Sequence, residues 1–200
     1  MFYEIPYRER PDWESVGEVT LCHAPWLAPC DVAAWAQACH DGERLYVRMR
    51  AREREIRAEL TDPLSQVCED SCLEFFFAPD ARDERYFNFE WNPLGTLYFG
   101  FGGARKTRVR QIVPDARALF SVETFATADG WGVTFSIPGQ LIRTYFPGFA
   151  FEGEAAGNFY KCGDGTRTPH YLAWSPLTSS VPDYHRRQDF GRLTFGKREG

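Results

Sequence analysis

Glu74, Asn88, Glu90 and Asn92 are the residues of this chain best placed by type and spacing to read a polar ligand. They occupy alternate positions in DSCLEFFF, which starts at Asp70, and YFNFEWN, which starts at Tyr86. Alternate residues of an extended chain share a face, so the carboxylates and amides point one way while Leu73, Phe75, Phe77, Phe87, Phe89 and Trp91 point the other. Arg48 and Arg50 have the same polar parity in RLYVRMRAR, residues 44–52. If these strands neighbour one another in one sheet, they present a patch of carboxylates, amides and guanidinium groups. Such a patch can read sugar hydroxyls through paired and charge-assisted hydrogen bonds. The same residues would also serve as a solvated salt-bridge lattice over an exposed sheet face, and the sequence favours neither.

Cys162, His170 and His185 are the remaining material for catalysis. A cysteine nucleophile needs a base within hydrogen-bond reach and an oxyanion donor, which spacing alone does not supply. There is no Gly-x-Ser-x-Gly elbow and no His-Glu-x-x-His pair. The six cysteines are Cys22, Cys30, Cys39, Cys68, Cys72 and Cys162. Cys68-x-x-x-Cys72 lacks the second pair of a zinc knuckle, so free and largely buried thiols are expected.

Composition removes other classes. The net charge of −5 argues against a nucleic-acid binder, which shows a basic excess. The local basic run Arg105, Lys106, Arg108 and Arg110 has little aromatic interleaving. Gly100-Phe101-Gly102-Gly103 lacks the Gly-Lys-Ser/Thr ending of a phosphate loop. No run is long and apolar enough to span a membrane, and the N-terminus lacks the order of an export signal. A cytoplasmic protein with reduced thiols, one domain over residues 1–200, is therefore expected.

The elements that must carry these residues repeat with period two. Asp41-Gly42 joins segments 32–39 and 44–52 as a hairpin, and Asn92-Pro93-Leu94-Gly95 turns 86–92 back into 96–101. Asp129-Gly130 joins 119–126 to 131–137, and 158–162, 171–174 and 191–195 supply the last strands. One short helix is expected at 140–146, between Pro138-Gly139 and Pro147-Gly148. With 17 Phe, 9 Tyr and 6 Trp, the chain can fill a substantial core. An all-β, two-sheet antiparallel sandwich of immunoglobulin or jelly-roll type follows.

Four segments in order then carry a resemblance: CEDSCLEFFF from Cys68, YFNFEWNPLGTL from Tyr86, NFYKCGDGTRTPHYLAWSP from Asn158 and PDYHRRQDFGRLTF from Pro182. Together they resemble the family 9 carbohydrate-binding modules, and most closely the stand-alone bacterial proteins of that DOMON-like superfamily. The resemblance implies a β-sandwich and non-catalytic saccharide binding. In the xylanase-attached modules two tryptophans clamp the reducing end of a glycan. The matching positions here are Val67 and Tyr184. The family's carboxylate matches Glu74 and its Asn matches Asn92, while Glu90 stands where it has Arg and Tyr160 where it has Gln. Tyr184 is thus the expected stacking platform, projecting from a loop over the sheet edge, with His185 beside it. Glu74, Glu90, Asn92, Tyr160 and Arg48 are the expected polar readers. Structural calcium occurs in the family, but no ligand set maps onto this chain, so no cofactor is assigned. Two rivals remain: an enzyme using Cys162 with His170 or His185, and a haem-binding or protein-interaction module. With Met1 and Met49 its only methionines, and Met49 on the core parity, the chain is poorly equipped for a His/Met haem pair.

Overall fold

The computed structural model describes residues 1–27 and 31–198, so Cys30 lies outside the described residues. Its strands, in chain order, are β1 (Phe2–Ile5), β2 (Val19–Thr20), β3 (Ala33–His40), β4 (Arg44–Arg52), β5 (Cys72–Ala78), β6 (Tyr86–Trp91) and β7 (Leu97–Gly102). They continue as β8 (Val109–Gln111), β9 (Glu123–Thr127), β10 (Gly130–Pro138), β11 (Glu154–Cys162), β12 (Tyr171–Ala173) and β13 (Gly191–Phe195). An eight-stranded sheet runs β1-β13-β11-β5-β6-β7-β8, with β12 also pairing with β11. The second sheet has five strands in the order β2-β3-β4-β10-β9. Among the described residues the strand pairings are antiparallel except β1 with β13. The expected helix is present as α2 (Gly139–Tyr145). A further five-residue turn, α1 (Ala116–Phe120), starts where Asp115 accepts a hydrogen bond from the Ala118 amide.

Period two explains the core. Leu73, Phe75 and Phe77 of β5, and Phe87, Phe89 and Trp91 of β6, all lie between the sheets with no exposed surface. Phe89 stacks on Phe99 of β7 at 4.8 Å and meets Phe120 of α1 edge-on at 5.5 Å. Val47 and Met49 close the core from the opposite sheet. Turn chemistry sets the register. Asp41 takes the amides of Glu43 and Arg44 at 2.8 and 2.7 Å, and Gly42 adopts φ +90°, a conformation that disfavours a side chain.

The eight-stranded sheet has a second, smaller core on its outer face. Cys72, Phe76, Tyr86, Tyr160 and Cys162 point outward there and are covered by Val67, Trp26, Tyr184 and Phe190 from loops. This arrangement places the polar residues of β5 and β6 under a loop-built rim instead of in open solvent.

A buried ion pair joins the sheets at one end. Lys161 shares the core parity of Phe159 on β11, and its Nζ lies 3.1 Å from Glu53, just past the end of β4. The same ammonium donates to the Cys162 carbonyl at 2.7 Å and to Nε2 of His170 at 2.8 Å. Glu53 also accepts from Ser71 Oγ at 2.8 Å and from the Trp131 indole at 3.0 Å. Every member of the network has a partner from another element.

Candidate functional site

Register brings the two expected acids together. Glu74 of β5 stands directly opposite Glu90 of β6, Glu90 opposite Tyr98 of β7, and Glu74 opposite Tyr160 of β11. The row Tyr98–Glu90–Glu74–Tyr160 thus crosses four strands on the outer face, about 14 Å at the usual strand spacing. Glu74 is 2% exposed and Glu90 is 6% exposed. Both line the floor of a cleft of about 240 Å³. This is smaller than the ~300–1,000 Å³ of drug-sized sites and suits a compact polar ligand.

Placing like charges opposite each other is unfavourable, and burial makes it more so. Burial, reinforced by Glu90, raises the Glu74 carboxyl well above the ordinary glutamate range. Burial likewise pushes Glu90 up to about 7. Burial and the facing acid thus both favour the protonated form of Glu74. One compensating charge arrives through an amide. Arg108, from the β7–β8 connection, donates Nε to Asn88 Oδ1 at 2.9 Å, and Asn88 Nδ2 donates to Glu90 at 2.7 Å. The guanidinium lies over the Tyr86 ring at 4.1 Å. Opposite Asn88 is Gly100, where an added Cβ would collide with the Asn88 amide oxygen.

The aromatic rim differs from the sequence expectation. Tyr184 does not project over the edge: it is 8% exposed and stacks on Tyr160 at 4.0 Å with an interplanar angle of 11°. Its hydroxyl donates to the carbonyls of Lys161 at 3.0 Å and Leu172 at 3.2 Å. Trp26 lies against its other side, with ring centroids 5.3 Å apart, and is held by a 2.8 Å bond from its indole to the Ser179 carbonyl. The half-buried rings lining the cleft are therefore Trp26 and Tyr171 near β11 and β12, and Tyr98 on β7. The Tyr184 phenol is sealed by hydrogen bonds to its own fold, so its ring braces the rim. Val67 is fully buried in the smaller core and supplies no wall.

The other expected readers separate. His185 lines the cleft, with Nδ1 2.9 Å from the Tyr86 hydroxyl. Burial, then Arg108 and Arg105, hold its imidazole down at about 3, so it is neutral. Tyr160 lies beneath Tyr184 and donates its hydroxyl to the Tyr184 carbonyl at 3.2 Å; it does not line the cleft. Asn92 is used by the turn. Its Oδ1 takes the amides of Leu94 and Thr96, and its Nδ2 donates to Leu60 and Asp70. Arg48 is on the other sheet altogether, paired in register with Gln37 and Thr134 and lying over Phe125 at 5.2 Å. Parity assigns a face within a strand but not which sheet the strand joins, and that is the reason for the error. Residues that the sequence reading did not assign to the site, Trp26, Arg108, Asp164 and Asp183, also line it.

The Cys–His arrangement does not assemble. Cys162 faces outward, where its thiol donates to Glu74 at 2.9 Å, whereas His170 bonds Lys161 on the opposite side of β11. Burial raises the Cys162 thiol well above its ordinary range and pushes Cys72 up to about 12, so neither is a ready thiolate. His185 is engaged by Tyr86. Cys22, Cys39, Cys68, Cys72 and Cys162 are free thiols.

The sequence model of carbohydrate-binding family 9 matches residues 9–195. A candidate carbohydrate-binding protein from Bacteroides uniformis ATCC 8492 is similar in structure, with a TM-score of 0.81 at 25% identity, covering 97% of this chain and 98% of that one. A family 9 carbohydrate-binding module from Caldicellulosiruptor kristjanssonii in complex with glucose gives a TM-score of 0.67 at 12% identity, covering 100% of this chain and 98% of that one. Its complex with cellotriose gives 0.66 at 12% identity, covering 100% and 95%. At that identity the module establishes the sandwich fold alone. No curated protein matches the chain.

Proposed function

Because the chain belongs to carbohydrate-binding family 9, we propose that the cleft on the outer face of its eight-stranded sheet binds a small saccharide without chemical turnover. The observation that carries this reading is the pairing of Glu74 and Glu90 on the floor of a cleft rimmed by half-buried aromatic rings. A sugar ring has an apolar C–H face and an equatorial set of hydroxyls. Trp26 offers a surface for the first, and the paired Glu74 and Glu90 carboxyl groups offer several acceptors, and a donor where one of them holds a proton, for the second. Arg105 and Asp183, 3.8 Å apart, add polar groups at the mouth. The glucose and cellotriose complexes of the C. kristjanssonii module support a short glucan as the first ligand to try. With a buried valine at one clamp position, binding is weak and tolerant of sugar identity.

Isothermal titration with glucose, cello-oligosaccharides and xylo-oligosaccharides tests this. Saturable one-to-one binding is expected, with Trp26→Ala weakening it by about tenfold or more, the usual cost of truncating an aromatic anchor. Turnover of any ligand, or no heat with any saccharide at millimolar concentration, would refute it.

A further inference from the structure

Sulfur stands beside oxygen under the cleft: Cys162 lines it with Glu74, and Cys72 is buried next to them. Cys72 of β5 and Cys162 of β11 are paired directly across the two strands. Glu74 lies two residues along β5, on the same outer face. The two sulfurs and a Glu74 carboxylate oxygen all lie within 4.8 Å of one another, and all three residues are buried. The shortest separation is 2.9 Å, from Cys162 Sγ to Glu74 Oε1. A four-coordinate zinc ion, with Zn–S near 2.3 Å and Zn–O near 2.1 Å, needs donor atoms roughly 3.3–3.8 Å apart. The separations of this set, from 2.9 Å up to no more than 4.8 Å, bracket that range.

We propose that Cys72, Cys162 and Glu74 form a binding site for a thiophilic cation, Zn²⁺ in the first instance, at the floor of the cleft. Two thiolates and one carboxylate carry three negative charges, which a dication offsets to one. Thiolate donors select Zn²⁺ over the calcium and magnesium that prefer all-oxygen cages. Three protein ligands leave a fourth position exchangeable, and Glu74 and Cys162 line the cleft together with Cys68, a further sulfur donor. Loading releases the two thiol protons, and the Glu74 proton where it is held, to solvent. The site rests on the strand register and on these side-chain separations, and its test needs no saccharide, although Glu74 is shared with the proposed sugar cleft.

The test uses the full chain, reduced, with no saccharide present and with Co²⁺ as a spectroscopic stand-in for Zn²⁺. One equivalent of Co²⁺ is expected to produce a thiolate-to-cobalt charge-transfer band that excess Zn²⁺ abolishes. Cys162→Ser and Cys72→Ser should each lose most of its intensity, while Cys22→Ser, at an exposed position, should leave it unchanged. Glu74→Gln keeps the shape of the side chain and both thiols. It should retain the band but weaken Co²⁺ affinity at least tenfold, which keeps the test decisive if a serine variant misfolds. Absence of the band in the reduced wild-type chain, or a band of equal intensity in Cys162→Ser, would overturn the proposal.

Discussion

Replacing Lys161 with Met should cost this protein a large share of its stability, because the ammonium is the cation that joins the two sheets at one end. Lys161 has no exposed surface, and Glu53 beside it is 2% exposed. Its three protons are directed to the Cys162 carbonyl, His170 Nε2 and Glu53 at 2.7, 2.8 and 3.1 Å. Methionine retains the packing of the aliphatic stem. It leaves Glu53 with the Ser71 and Trp131 donors but without the ammonium, and removes one donor each from the Cys162 carbonyl and His170 Nε2. Breaking a buried pair in this way costs about 3–5 kcal/mol, against the ~5–15 kcal/mol total of a typical domain. Glu53→Gln, which strands the ammonium instead, should cost a comparable amount. In Lys161→Met/Glu53→Gln the uncompensated charge disappears, so the double variant should lose less than the sum of the single ones by on the order of 1–3 kcal/mol. Urea unfolding at pH 7, read by tryptophan fluorescence and compared at constant m, measures all three. Single variants costing under about 1 kcal/mol, or a double variant that is additive, would refute the assignment of this network as a coupled buried ion pair.

Two further outcomes concern the cleft. His185 is held at about 3 when folded, against an ordinary value of 6.5, by burial and by Arg108 and Arg105. The folded chain then binds fewer protons than the unfolded one in this window, so the contribution of the neutral imidazole is present above pH 6.5 and is lost as pH falls toward 3. His185→Gln should flatten the acid limb of urea stability measured from pH 7 to 4; an unchanged limb contradicts the burial argument. Gly100→Ala should push the Asn88 amide off Glu90 and lower stability by about 1–3 kcal/mol through overpacking, together with weaker saccharide binding. A neutral effect in both urea unfolding and titration would mean that Asn88 does not hold Glu90.

Much of the architecture is legible in the sequence because the signals are local. Period two in residues 72–78 and 86–91, together with Asp-Gly and Asn-Pro-Leu-Gly turns, yields the strands, the core face and the neighbouring positions of Glu74 and Glu90. The short edge strands β1, β2 and β8 carry too few residues for a period to register. The sites that sequence misjudged depend on long-range placement. Arg48 has the right parity on a strand that joins the other sheet. Asn92 ends its strand and turns its side chain to the amides of Leu94 and Thr96. Trp26 reaches the cleft from an irregular loop and is fixed by Ser179, more than 150 residues away in sequence, a contact that no local pattern encodes. Tyr184 is in the cleft, but its hydroxyl and ring are committed to the fold, which residue type alone does not disclose.

If a saccharide sits on the outer face of the eight-stranded sheet, the indole N–H signals of the six tryptophans will report it. Trp26 lines the proposed cleft, whereas Trp35 lies on the opposite sheet beneath Arg50, 4.2 Å from its ring centroid. In ¹H–¹⁵N spectra recorded during titration with a saccharide that binds, the Trp26 indole should shift saturably together with the backbone amides of Glu74, Glu90 and His185, while Trp35 stays fixed. Shifts confined to Trp35 and the Arg48 strand, with Trp26 unmoved, would instead place the ligand on the other sheet.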